Sequence, residues 1–161
     1  MLTIVRRGTP GGEMRAFTRG LFRQPPSDTE TAHAMRALAG VFLHSTAAEF
    51  RFGWDGADVD HLDALCDRLV LPGQRAVTTR SAVAARMGAF VGELLVRNAG
   101  GRWVYDEACR TAAVELPNGQ RVHPTERVSR RITVGHHHSI AEFYRAAVAG
   151  DSLVFAPRQA G

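Results

Sequence analysis

The sequence predicts an α+β fold in which helices pack on one face of a small antiparallel sheet of three or slightly more strands. Several segments repeat apolar residues every three or four positions, a pattern typical of amphipathic helices. Between residues 103 and 123 the apolar period changes to two, which predicts strands. Within that stretch, Asn118–Gly119 is the strongest local signal for a tight hairpin.

Charge divides the chain into an arm and a body. The chain has 161 residues, the usual length of one domain, and its net charge is +4. Residues 1–27 carry five arginines and one acid, so this basic, Gly/Pro-rich arm holds the whole net charge. We expect residues 28–150 to form a single α+β domain and 151–161 to be a tail. The balanced charge of the body argues against nucleic-acid binding by the domain itself.

The sequence predicts a cytoplasmic protein with no membrane partner. No segment approaches the roughly 18 apolar residues that a spanning helix needs. The first ten residues contain too few apolar residues to form the core of a signal peptide. Cys66 and Cys109 form no C-x-x-C pair, and Cys66 lies on a predicted buried helix face.

Three helices are predicted in the first hundred residues. Ser27 has capping-box spacing with Glu30, which begins a helix that ends near residues 47–49. Asp58 caps a second helix, which ends before Pro72–Gly73. The third helix begins near residue 79 or 81 and ends at Asn98, before a pair of glycines.

Alternating patterns predict the extended segments. Aromatic residues at 50, 52 and 54 alternate with Arg51 and Gly53, which predicts a short extended piece with one apolar side. Residues 103–105, 112–116 and 121–123 then form an antiparallel meander.

Two further helices follow the meander. Pro124 begins a short, arginine-rich helix that ends at Arg131. Ser139 and Glu142 form a second capping box, and the helix that they begin ends at Gly150. Apolar residues 153–155 predict a last strand or a docked tail.

Gly88 and Gly92 lie four positions apart on one face of the third helix. Glycine in a helix costs about 1 kcal/mol relative to alanine, so the pair predicts that another element packs very closely there. A homodimer could use this face or an exposed edge of the short sheet.

Several motifs together resemble a known group of domains. They are Gly88–Glu93 (G-x-x-x-G-E), the strand that carries Trp103, the P-N-G hairpin at 117–119 and the S-x-x-x-F-Y helix at 139–144. The chain resembles an uncharacterised family of small α+β domains common in actinobacteria and other bacteria, over about residues 45–148. The resemblance implies this fold and carries over no catalytic residue.

The run His136–His138 is the most unusual local feature. In an extended loop the first and third histidines point the same way, close enough to bind one Zn²⁺. His123 could supply a further ligand, and so could His61, Asp106 or Cys109. The alternative is an exposed polar loop without a metal.

Other polar residues allow weaker hypotheses. Four arginines around the fourth helix could bind an acidic partner or form a solvated helix face: Arg121, Arg127, Arg130 and Arg131. Glu93 is interpreted as a solvent-side partner of Arg97, or as a partly buried pair that holds the helix against the sheet. A nucleophilic pair of Cys109 and His123 lacks a group that orients the histidine.

The leading functional hypothesis is a non-enzymatic protein-binding or adaptor module, of an immunity or chaperone-like type, with no cofactor. Its partner would be another protein, which could be acidic, or a second copy of the chain. One alternative is a metal-dependent enzyme or metal sensor that uses His136 and His138, with zinc as the cofactor. The other is nucleic-acid binding through the basic arm.

Overall fold

The structure is a computed structural model that describes residues 24–69 and 74–152. In these ranges the chain forms five α-helices and one antiparallel sheet with the strand order β1-β2-β3. The helices are α1 (Asp28–Thr46), α2 (Val59–Arg68), α3 (Gln74–Asn98), α4 (Pro124–Thr133) and α5 (Ile140–Ala149); the strands are β1 (Arg102–Asp106), β2 (Thr111–Glu115) and β3 (Arg121–Val122). The predicted α+β fold, with its three-stranded meander, is confirmed.

Both serines predicted to begin capping boxes lie at helix starts. Ser27 Oγ accepts the backbone N–H of Glu30 at 3.2 Å, and the Glu30 carboxylate accepts the N–H of Ser27 at 2.8 Å. Ser139 Oγ accepts the N–H of Glu142 at 3.1 Å. Two predictions are wrong in detail: α3 begins at Gln74, earlier than expected, and the side chain of Asp58 makes no capping bond.

Of the aromatic residues that follow α1, Phe52 and Trp54 are partly buried against the core, and none of them forms a strand with the described residues. Phe52 and Trp54 pack against Phe90 of α3, with ring centroids 5.6 and 5.2 Å apart respectively. Phe42 of α1 stacks on the same ring at 5.2 Å. Phe90 therefore joins α1 and the loop after it to the central helix α3.

The predicted close packing at the two glycines of α3 is confirmed. A Cβ atom at Gly88 would lie 2.4 Å from the backbone Cα of Thr125, and one at Gly92 would lie 2.1 Å from the indole ring of Trp103. The face is therefore filled by α4 and β1 of the same chain. For that reason the prediction of a homodimer through the Gly88/Gly92 face is wrong.

Three predictions fall wholly or largely outside the described residues. They are the arm, described only from residue 24, its nucleic-acid-binding role, and the strand or docked tail at 153–155. Within the described part of the chain, none of the helices combines the length and the apolar character that crossing a bilayer requires.

Candidate functional site

A groove lies between the N-terminal half of α1 and the outer edge of β1. Its volume is about 490 Å³. Within residues 24–69 and 74–152, β1 is an edge strand, because the sheet order pairs it with β2 alone. The groove is lined by Asp28, Thr29, Ala32, His33, Arg36, Val96, Gly101, Arg102 and Trp103.

The open edge of β1 already binds a carboxylate. The backbone N–H of Tyr105 donates to Asp28 Oδ1 at 2.9 Å, so Tyr105 directs its backbone groups away from β2. Backbone groups of alternate residues in an antiparallel strand point to the same side. The N–H and C=O of Trp103, which lines the groove and is 4% exposed, therefore point away from β2 as well.

Two exposed arginines give the groove positive charge. The side chains of Arg36 and Arg102 are 62% and 63% exposed. Arg102 lies 3.5 Å from Asp28 Oδ2 and also pairs with Glu115 across the β1–β2 ladder. His33, on the neighbouring turn of α1, also lines the groove.

Beneath the groove, Glu93 is buried, with 1% of its surface exposed. Trp103 Nε1–H donates to its Oε1 at 2.9 Å, and its Oε2 lies 3.7 Å from Nε of both Arg36 and Arg97. The solvent-side interpretation of Glu93 is wrong; the alternative interpretation of a buried pair that holds the helix against the sheet describes the contact. Arg97 also stacks over Trp54, 4.0 Å from the ring centroid.

The four arginines predicted to form one partner-binding cluster are engaged separately. Arg121 pairs with Glu115, and Arg130 pairs with Glu126 within α4. The guanidinium of Arg127 lies 5.0 Å from the ring centroid of Phe143 on α5. Two of the four arginines are therefore paired with acids, and a third lies against an aromatic ring.

Arg131, the fourth of these arginines, is buried and structural. It is 4% exposed and binds Asp63 and Asp67 of α2 at 2.8 and 2.7 Å. Asp63 also accepts the N–H groups of Ile140 and Ala141, both at 3.0 Å. This carboxylate therefore caps α5 from α2, a role that the sequence did not suggest.

The histidine run does not have the extended geometry that was expected. His136–His138 form a 3₁₀ turn, in which residues two apart point in different directions. Among the described residues, the group of potential ligands whose atoms all lie within 4.8 Å of one another is Asp106, Cys109 and His123. His123 is thus close to other ligands, but His136 and His138 are not part of that group.

Asp106 is the orienting group that the Cys109–His123 pair lacked in the sequence. His123 Nε2 lies 2.9 Å from Asp106 Oδ2, and Oδ1 accepts the N–H groups of Ala108 and Cys109 at 3.0 and 3.3 Å. The hydrogen bond from His123, followed by that from Cys109, lowers the pKa of Asp106. Partial desolvation and the charge of Asp106 raise the pKa of the Cys109 thiol, which disfavours an activated nucleophile.

The comparisons with known proteins identify a family without an assigned activity. The family model described as "Domain of unknown function (DUF3806)" matches residues 58–144, more than half of the chain. The match extends from the residue before α2 into α5, and it includes Asp106, Cys109 and His123. No curated protein and no solved structure matches the chain. On the strength of the family match, the chain belongs to the DUF3806 family of domains of unknown function.

Proposed function

We propose that this chain is a protein-binding module that binds an extended, acidic segment of a partner protein in the groove between α1 and β1. The contact between Asp28 and the Tyr105 N–H is the observation that supports the proposal most directly. It is an example, within the chain, of a carboxylate bound to the edge of β1 beside Arg102. A partner segment would use the same strand edge one pleat along, with its own carboxylate beside the exposed arginines.

The backbone of Trp103 supplies the first part of the recognition. An extended segment that lies along an open strand edge gains main-chain hydrogen bonds, which are independent of its sequence. Asp28 occupies the N–H of Tyr105, so the position available for pairing is Trp103. The bound segment would therefore lie between Trp103 and the face of α1 that carries His33 and Arg36.

The charge of the groove supplies the second part of the recognition. Glu93 holds Arg36 in place. Glu115 and Asp28 hold Arg102 in place. More than half of each arginine side chain is nevertheless exposed. A guanidinium that is already oriented loses less side-chain freedom when it binds a second carboxylate. The groove therefore favours an acidic segment over a neutral or basic one.

A peptide selection tests this proposal. Random decapeptides displayed on phage are selected on the full chain, and the enriched sequences are synthesised with a fluorophore for anisotropy titrations. We expect acidic residues at alternate positions, flanked by β-branched residues that favour an extended strand. We also expect the peptide to shift the backbone amide resonance of Trp103.

Two matched variants locate the binding site. Arg36→Gln removes one charge from the groove and should weaken the selected peptide about tenfold at low salt. Arg51→Gln removes a charge from an exposed arginine outside the groove and should leave affinity unchanged. Equal affinity for the wild type and Arg36→Gln, or enriched peptides without acidic residues, would contradict the proposal.

A further inference from the structure

Three potential metal ligands meet at one end of the sheet. In an antiparallel meander the first and third strands run in the same direction, so their C-terminal ends lie at the same end of the sheet. Asp106 is the last residue of β1, Cys109 lies in the turn to β2, and His123 follows β3 directly. Their ligand atoms all lie within 4.8 Å of one another.

We propose that Asp106, Cys109 and His123 bind one zinc ion and leave a fourth coordination position open. Thiolate, imidazole and carboxylate are the three side-chain ligands that Zn²⁺ accepts, whereas Mg²⁺ and Ca²⁺ prefer oxygen alone. Three protein ligands and one open position are typical of zinc sites that bind water or an exogenous ligand. Cys109 is exposed, so the open position would be accessible from solvent.

The distances require only a small adjustment. In a tetrahedral zinc site with bonds of roughly 2.0–2.3 Å, neighbouring ligand atoms lie about 3.3–3.6 Å apart. His123 Nε2 and Asp106 Oδ2, now 2.9 Å apart, would separate by a few tenths of an ångström as zinc replaces the hydrogen between them. Cys109 would approach by about 1.2–1.5 Å at most, which rotation of an exposed side chain in a turn allows.

The surrounding contacts orient the ligands in advance. The N–H groups of Ala108 and Cys109 hold Asp106 Oδ1, so the plane of the carboxylate is set and Oδ2 remains for the ion. The backbone C=O of His123 accepts the N–H of Arg127 at 3.1 Å, which anchors the histidine at the start of α4. Two of the three ligands are therefore positioned by main-chain hydrogen bonds.

Local charge favours a cation at this place. A carboxylate oxygen of Asp106 lies within 4.8 Å of the Cys109 sulfur and of a ring nitrogen of His123. The negative charge of this carboxylate favours a divalent ion, and the ion in turn stabilises the thiolate.

Cobalt substitution tests the proposal on the full, untagged chain after treatment with a chelator. Cobalt alone should bind with one equivalent and produce the visible bands of a four-coordinate site and a thiolate-to-cobalt band in the near ultraviolet. Zinc should abolish both signals by competition. X-ray absorption of the zinc-loaded wild type should show one sulfur ligand, a result that requires no variant.

Two variants distinguish this site from the histidine run. Cys109→Ser should lose the thiolate band and weaken zinc binding by at least a hundredfold, because it replaces a direct ligand. The double variant His136→Ala/His138→Ala should bind as the wild type does. Absence of zinc binding, a zinc site without sulfur, or binding lost only in the double variant would overturn the proposal.

Discussion

Trp103 of β1 donates its indole N–H to the buried carboxylate of Glu93 on α3, at 2.9 Å. Gly92, the residue before Glu93, lets the backbone of α3 approach the same indole ring. The other carboxylate oxygen of Glu93 lies 3.7 Å from Arg36, which lines the groove. One side chain therefore links the packing of the central helix to the candidate peptide-binding surface.

Replacing Glu93 should reveal how much the indole hydrogen bond contributes. Glu93→Ala leaves the Trp103 N–H without its acceptor and opens a cavity, so we expect the free energy of unfolding to fall by about 3 kcal/mol. Glu93→Gln keeps an acceptor and should cost about 1 kcal/mol. Urea denaturation measures both values. Equal losses in the two variants would show that the hydrogen bond is not the main contribution.

Alanine substitutions at glycines in two different helices should have opposite effects on the stability of the fold. Gly92→Ala places a methyl group about 2 Å from the ring of Trp103 and should destabilise the fold by about 2–3 kcal/mol. Gly40 in α1 is exposed, with no atom within 4 Å of an added Cβ. Gly40→Ala should therefore stabilise the fold by roughly 0.5–1 kcal/mol.

Thermal and urea unfolding of these two variants test the packing of α3 directly. If Gly92→Ala is as stable as the wild type, α3 does not pack against Trp103 as described. If Gly40→Ala is destabilised, the exposed face of α1 is covered by something outside the described residues.

Local signals explain how much of the fold could be predicted. Ser27 and Ser139 bond to backbone groups three positions away, so their capping roles are visible in a short stretch of sequence. The start of α3 was missed because Thr79 and Ser81 resemble helix caps. Gln74 and the two residues after it are good helix formers that follow Pro72–Gly73, and that break was the better signal.

The candidate sites depend on contacts between distant residues, which leave no local pattern. Asp28 reads as an ordinary acid in the first turn of a helix, but it also binds the N–H of Tyr105, 77 positions away. Arg131 reads as one of several surface arginines, but it is buried against Asp63, 68 positions away. The contact between Asp106 and His123 could not be predicted from the sequence, because it depends on how the meander brings the ends of β1 and β3 together.

Asp63 should make the stability of the fold depend on pH. Partial burial opposes its ionisation, but bonds from Ile140, Ala141, Ser139 and Arg131 outweigh burial and lower its pKa below the ordinary 3.8. Its contribution is therefore complete above the unfolded pKa and is lost as the pH falls through the lower, folded pKa. We expect Asp63→Asn to lower the free energy of unfolding near neutral pH and to flatten its decline between about pH 5 and 2.

A neighbouring acid provides the control for this titration. Asp60 lies on the same helix and forms an exposed ion pair with Arg145. Asp60→Asn should change stability little at any pH, because exposed pairs contribute little. If Asp63→Asn keeps the acid sensitivity of the wild type, other carboxylates are responsible for it.

The two cysteines should differ sharply in reactivity. Cys66 is fully buried, its S–H lies 3.6 Å from Met87 Sδ, and burial raises its pKa to about 12. Cys109 is exposed, with a pKa that is also raised, so its reaction with Ellman's reagent should accelerate as the pH increases. With a chelator present, we expect one reactive thiol per native chain and two in denaturant. Cys109→Ser should have none in the native state, and rapid reaction of both thiols in the native wild type would contradict the packing of α2 against α3.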